Sequence, residues 1–153
     1  MRFTLAIPLA IFAASSVLEP GSVVGASASD PCSLLTPAQV GAVLGVSVGP
    51  GQRTGTKACA WRASGGPVGK KAWVTSVSVD IFELSKSAGV ETITPVTGIG
   101  DDAYYASLKG QPPTLRFKKG SEAFTVQVIS SKSTTDEVKA MEKALAQDIL
   151  IHL

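Results

Sequence analysis

Apolar and polar positions repeat along this chain with two different periods, and the switches between them mark its elements. Val40, Val43 and Leu44 fall on one helical stripe. Thr36-Pro37-Ala38-Gln39 stands before it: Thr36 suits an N-cap, Pro37 the first helical position, and Gln39 the far side of a capping box. Leu35 and Val40 occupy the places of a hydrophobic staple, and Gly45 suits a left-handed C-cap. This predicts a short helix of about two to three turns. The last helix opens on a second capping box, Thr134-Thr135-Asp136-Glu137. Val138, Met141, Leu145, Ile149 and Leu153 then recur at helical spacing with Ala144 alongside, while Lys139, Glu142, Lys143 and Asp148 fall largely off the stripe.

Alternation with a period of two lies between these helices. Ala58 to Arg62 reads as a strand with Cys59 and Trp61 on one face. Trp73 to Phe82 reads as the clearest strand. Trp73, Thr75, Val77, Val79 and Ile81 face one way, and Val74, Ser76, Ser78, Asp80 and Phe82 face the other, as in a half-buried antiparallel strand. Ala103 to Leu108 is a short strand. Thr114 to Lys118 and Ala123 to Ser130 form a hairpin across Lys119-Gly120-Ser121-Glu122, with Leu115, Phe117, Phe124, Val126 and Val128 inward. Gly49 to Gly55 reads as a glycine-rich loop, Ser64 to Lys71 and Lys109 to Pro113 as turns, Glu83 to Thr92 as a short helix or a loop, and Pro95 to Asp102 as containing a tight loop. The expected fold is α+β: an antiparallel sheet of about five strands against a short N-terminal helix and a C-terminal amphipathic one.

The first 28 residues differ from the rest. Met1 and Arg2 give a positive start, Phe3 to Leu18 is uncharged and mostly apolar, Glu19-Pro20-Gly21 interrupts it, and Ala26-Ser27-Ala28 has the small-x-small pattern of a signal-peptidase site. The run of 16 residues, with Pro8 inside it, is shorter than the ~20 a membrane-spanning helix needs. The reading is a secretory signal over residues 1–28, one α+β domain over 29–153, an extracytoplasmic location and no membrane span once the signal is removed. Cys32 follows Asp30-Pro31 and not a small residue, so it does not suit a lipid anchor. In an oxidising compartment two cysteines most often form one bridge. Cys32 to Cys59 would close a loop of 28 residues.

Composition narrows the function classes. The chain has 153 residues, 44% hydrophobic and 17% charged, which fits one globular domain and not a disordered chain. A net charge of +2 is too small for an electrostatic footprint on nucleic acid, so no nucleic-acid partner is expected. Two cysteines and the lone His152 cannot complete a zinc site or supply a triad's base in an obvious place.

Several motifs fall in a familiar order. Pro31-Cys32-Ser33-Leu34-Leu35-Thr36-Pro37-Ala38-Gln39-Val40 leads, followed by Leu44-Gly45, Cys59-Ala60-Trp61, Gly98-Ile99-Gly100-Asp101-Asp102-Ala103-Tyr104-Tyr105, a Lys-Gly hairpin and a final helix. Together they resemble a family of small bacterial secreted proteins and lipoproteins, common in actinobacterial envelopes, that carries a domain of unknown function. The resemblance covers nearly all of the chain after residue 28 and pairs Cys32 with Cys59. It implies an envelope or secreted location and no established catalytic activity. A more distant likeness to the extrinsic photosystem proteins implies a sandwich fold alone.

Gly98, Gly100, Asp101, Asp102, Tyr104 and Tyr105 form a candidate binding loop, since loops held by a rigid sheet often carry function. Against this, an aspartate in such a turn commonly bonds nearby backbone amides. No Asp-x-Asp-x-Asp-Gly loop is present for calcium, and Gly98-Ile99-Gly100 lacks the third glycine of a dinucleotide loop. Of Tyr104 and Tyr105, one is expected in the core and the other as a contact. Arg116 and Lys118 are candidate anion contacts, or else the solvated face of a strand. No catalytic residue, metal site or cofactor is expected. The leading reading is a monomeric, secreted, non-catalytic envelope module that binds a ligand or partner. A structural protein-interaction factor is the alternative, and an unrecognised enzyme comes third.

Overall fold

The computed structural model describes residues 29–64 and 69–153, so the expected signal segment lies outside the described residues. A single 3-10 turn, Pro31–Ser33, leads into α1 (Pro37–Leu44). Then come β1 (Gln52–Thr54), β2 (Ala58–Arg62), β3 (Lys71–Val77), α2 (Val79–Ser87), β4 (Thr92–Val96), β5 (Asp102–Ser107), β6 (Thr114–Lys119), β7 (Glu122–Ile129) and α3 (Thr135–Leu150). The fold is α+β as expected, but among the described residues its antiparallel sheet has seven strands and not about five, in the order β1-β2-β3-β7-β6-β5-β4.

Both capping boxes form. The Thr36 hydroxyl accepts from the Gln39 amide while the Gln39 side chain accepts from the Thr36 amide, and Thr134 and Glu137 do the same for α3. Gly45 closes α1 with φ of 65°. The hairpin of β6 and β7 pairs Phe117 with Phe124 and Leu115 with Val126. Together with Cys59, Trp61, Val74, Tyr105 and Val128, these residues make the face on which α1 and α3 pack.

Four sequence expectations change. The strand expected over Trp73 to Phe82 stops at Val77, because the Ser78 hydroxyl accepts from the Ile81 amide and starts α2. Val-Asp-Ile-Phe continues the alternation by coincidence, and Phe82 is then buried from a helix. The expected loop at Gly49 to Gly55 contains β1, whose three residues are all exposed and so show no alternation. A Cβ on neighbouring Gly51 would lie 2.8 Å from Cys59 Sγ and 2.9 Å from the Trp61 ring, so glycine here allows the backbone onto the disulfide. The stretch Thr92 to Val96 is an edge strand that contains Pro95, tolerated because an edge leaves one side of the backbone unpaired. Finally, Glu142 is fully buried beneath the sheet, although the stripe places it off the apolar face.

Among the described residues, the second face of the sheet is covered over only part of its area. α2 lays Phe82 onto Tyr104, Ala106 and Ala123, with Val77, Val79 and Ile93 packed around them. Beyond α2 the same face continues through Trp73, Thr75, Thr125 and Gln127, which are all half-buried.

Candidate functional site

The segment singled out from sequence, Gly98 to Tyr105, is built as a plug and a brace. Gly98 and Gly100 have φ of 77° and 57°, and Ile99 between them is buried in the main core. A Cβ on Gly100 would lie 2.2 Å from the Lys118 carbonyl oxygen, so only glycine lets the loop lie against β6. The Asp101 amide donates to that carbonyl at 2.8 Å. The Asp101 carboxylate accepts from the Gly120 amide at 2.7 Å and from Lys119 Nζ at 2.9 Å. Lys119 and the Gly120 amide hold its carboxyl below the usual carboxylate range. Asp101 thus closes the β6–β7 turn from outside. Asp102 pairs with Lys86 of α2 at 2.6 Å.

Tyr104 and Tyr105 point to opposite sides of β5, and both are buried, against the expectation that one would be a surface contact. The reason is that β5 has a helix over each face. The Tyr104 hydroxyl donates to the Phe82 carbonyl of α2 at 2.9 Å, and the Tyr105 hydroxyl donates to the Lys139 carbonyl of α3 at 2.6 Å.

Arg116 and Lys118, the candidate anion contacts, are already engaged. Arg116 grips Glu91 with two hydrogen bonds of 2.6 and 3.0 Å, and Lys118 pairs with Glu83. Cys32 and Cys59 are bonded, with S–S 1.97 Å and Cα–Cα 5.1 Å, and tie the start of the domain to β2. His152 lies exposed in the turn after α3. Among the described residues, no group of three or more His, Cys, Asp or Glu is placed to hold a metal ion, and no helix is long and apolar enough to cross a membrane.

The candidate contact surface is the part of the second face that α2 leaves open among the described residues. Trp73 lies there between its cross-strand partners Ala60 on β2 and Gln127 on β7. Lys71 Nζ stands 4.7 Å from the Trp73 ring centroid and Arg62 Cζ 5.8 Å. Arg62 and Lys71 are themselves register partners. Two shallow clefts flank this strip. One, of about 330 Å³, is lined by Arg62, Lys70, Lys71, Ile129 and Ser131 among others. The other, also of about 330 Å³, includes Gln127, Thr114, Leu108, Gln111 and Glu91. None of these residues belongs to the loop singled out from sequence. The signal that points to them is the alternation of β3, which puts Lys71, Trp73 and Thr75 on the face opposite buried Ala72 and Val74.

Compared with known proteins, the chain matches no family model, no curated protein and no solved structure at a significant level.

Proposed function

We propose that this protein is a secreted, non-catalytic module of the bacterial envelope or its exterior that binds a ligand or partner through the open part of its second sheet face. The reading joins the N-terminal signal pattern, the Cys32–Cys59 disulfide and the resemblance to small envelope proteins. The observation that carries it is Trp73: a large aromatic left half-buried in mid-sheet, flanked by polar and basic side chains and by two shallow clefts. Aromatic side chains favour contact surfaces because they offer large area at low entropic cost. Across the rest of the same face, the charged groups of β6 are consumed by ion pairs to α2 and to Glu91.

A second reading, a structural protein-interaction factor, is favoured by the outer side of α2, where Ile81 and Leu84 are 50% and 62% exposed. Co-sedimentation of the exported protein with isolated cell envelopes separates the two. The first reading expects Trp73→Ala to abolish binding while Leu84→Ser binds as the wild type does. Loss in Leu84→Ser with retention in Trp73→Ala would replace the first reading by the second. Thermal melts of both variants check that each is folded.

A further inference from the structure

We infer that the open sheet face takes an acidic glycan, a short oligosaccharide whose carboxylates seat on Arg62 and Lys71 while a sugar ring lies on Trp73. This rests on the reading of that face as the contact surface and names what it contacts. Arg62 and Lys71 are directly opposite in the β2–β3 register. Like charges so placed repel across an antiparallel pair. Among the described residues neither forms an ion pair, whereas Arg116 and Lys118 on the same face each have a glutamate. Neighbouring Lys70 donates to the Leu44 carbonyl at the end of α1, at 2.8 Å. Among the described residues the Arg62–Lys71 pair is therefore a positive site without a carboxylate partner at the mouth of a cleft, and an anion relieves its repulsion.

The surroundings select the rest of the ligand. The two cations now lie over the Trp73 indole. An incoming sugar ring replaces them on the aromatic face, and its acid group keeps them in contact. Thr75 and Thr125, opposite each other, and Gln127 beside Trp73 offer hydroxyls and an amide to sugar hydroxyls. The strip from β2 to β5 crosses four strand spacings, roughly 19 Å, with a shallow cleft at either end. A chain of rings laid across the sheet fits that shape better than a compact cofactor does. A peptide adding to the sheet needs a free edge, and the edges here are β1 and β4, away from Trp73. Two cations are too few to hold an anionic membrane surface.

Tetragalacturonate tests the inference, with neutral chitotetraose, inorganic phosphate and phosphatidylglycerol vesicles as the other probes. Trp73 reports binding by fluorescence, because Trp61, at 1% exposure, is shielded. The expected result is an emission change with tetragalacturonate that weakens with salt. Arg62→Gln and Lys71→Gln should each lower the affinity about tenfold, the size of one charge-assisted contact. Equal response to chitotetraose, or undiminished affinity in both glutamine variants, overturns the acidic-glycan assignment. So does binding of phosphate or vesicles through the same residues with tetragalacturonate silent. If all four probes are silent while Trp73→Ala still loses envelope co-sedimentation, the ligand class falls and the contact face stands. If Trp73→Ala keeps envelope binding, the contact face falls as well.

Discussion

Tyr104 and Tyr105 are neighbours on β5, yet each holds a different helix: Tyr104 through the Phe82 carbonyl of α2, Tyr105 through the Lys139 carbonyl of α3. Consecutive strand residues point to opposite faces, so one dipeptide anchors both layers. Burial, with the Glu142 carboxyl nearby, pushes the Tyr105 hydroxyl up to about 12, which keeps it a neutral donor. Tyr104→Phe and Tyr105→Phe keep the rings and remove the bonds, and each should cost about 1–2 kcal/mol. Hydrogen exchange should then speed up in α2 for the first variant and in α3 for the second. Equal loss of protection in both helices from either variant would contradict the division of labour.

The Glu142 carboxyl is a costly group to bury in the core. Its Oε1 accepts from the Val128 amide at 2.9 Å, and its Oε2 has no hydrogen-bond partner among the described residues. Burial raises it from the ordinary 4.5 to about 8, offset only in part by the Val128 and Leu115 amides and by Lys139. The unfolded chain ionises near 4.5 and the folded one near 8. The contribution of Glu142 to stability is therefore greatest in acid, falls as pH climbs between those values, and levels off above them, by on the order of 5 kcal/mol in all. Glu142→Gln should flatten that profile and raise the melting temperature at pH 9. A wild-type melting temperature that stays flat from pH 5 to pH 9 would refute it.

Asp101 gives the opposite slope. Its folded carboxyl lies below the ordinary 3.8, held there by Lys119 and the Gly120 amide. Its contribution is present above that ordinary value and is lost as pH falls through the lowered one. Asp101→Ala should lower the melting midpoint at neutral pH and leave it unchanged in strong acid. Gly100→Ala should cost more, ~2 kcal/mol or above, since its Cβ meets the Lys118 carbonyl at a positive φ. An unchanged melt for both variants would free this loop for a binding role.

Reduction of Cys32–Cys59 releases the start of the domain from β2. With a sequence separation of 27, the bridge should be worth roughly 2–4 kcal/mol. Denaturant unfolding with and without reductant measures it. Free thiols in the natively exported protein would show that the bridge does not form in place.

Removal of the segment ending at Ala28 would change one contact outright. The Ser29 nitrogen donates to Glu122 Oε1 at 2.6 Å. Cleavage after Ala28 turns that amide into an ammonium and the hydrogen bond into an ion pair, which fixes the first residue onto the hairpin. Mass spectrometry of the exported protein should find Ser29 at the N-terminus. Glu122→Gln should then destabilise the processed chain more than the unprocessed one, by up to about 1 kcal/mol. Intact chains in the soluble exported fraction would rule the cleavage out.

The short-range grammar of this protein is written in its residues. Thr36 with Gln39, Thr134 with Glu137 and Gly45 specify helix ends through contacts within one turn, and Lys119-Gly120-Ser121-Glu122 specifies a hairpin through local φ preferences. What failed to show was whatever depends on the partner across space. β1 and β4 are held by neighbours and not by their own pattern, so the sheet gained two strands at its edges. Ser78 could be a strand residue or a cap until Phe82 had a pocket to fill. Glu142 lies beneath the sheet because α3 crosses β6 and β7, and side-chain polarity alone would have turned it outward. The same holds for the candidate site. Sequence proximity grouped Asp101, Asp102, Tyr104 and Tyr105, but the fold gave each of them a separate structural partner. It brought together Arg62, Lys71 and Trp73 from two strands instead, and their placement depends on the β2–β3 register and on how far α2 extends over the sheet.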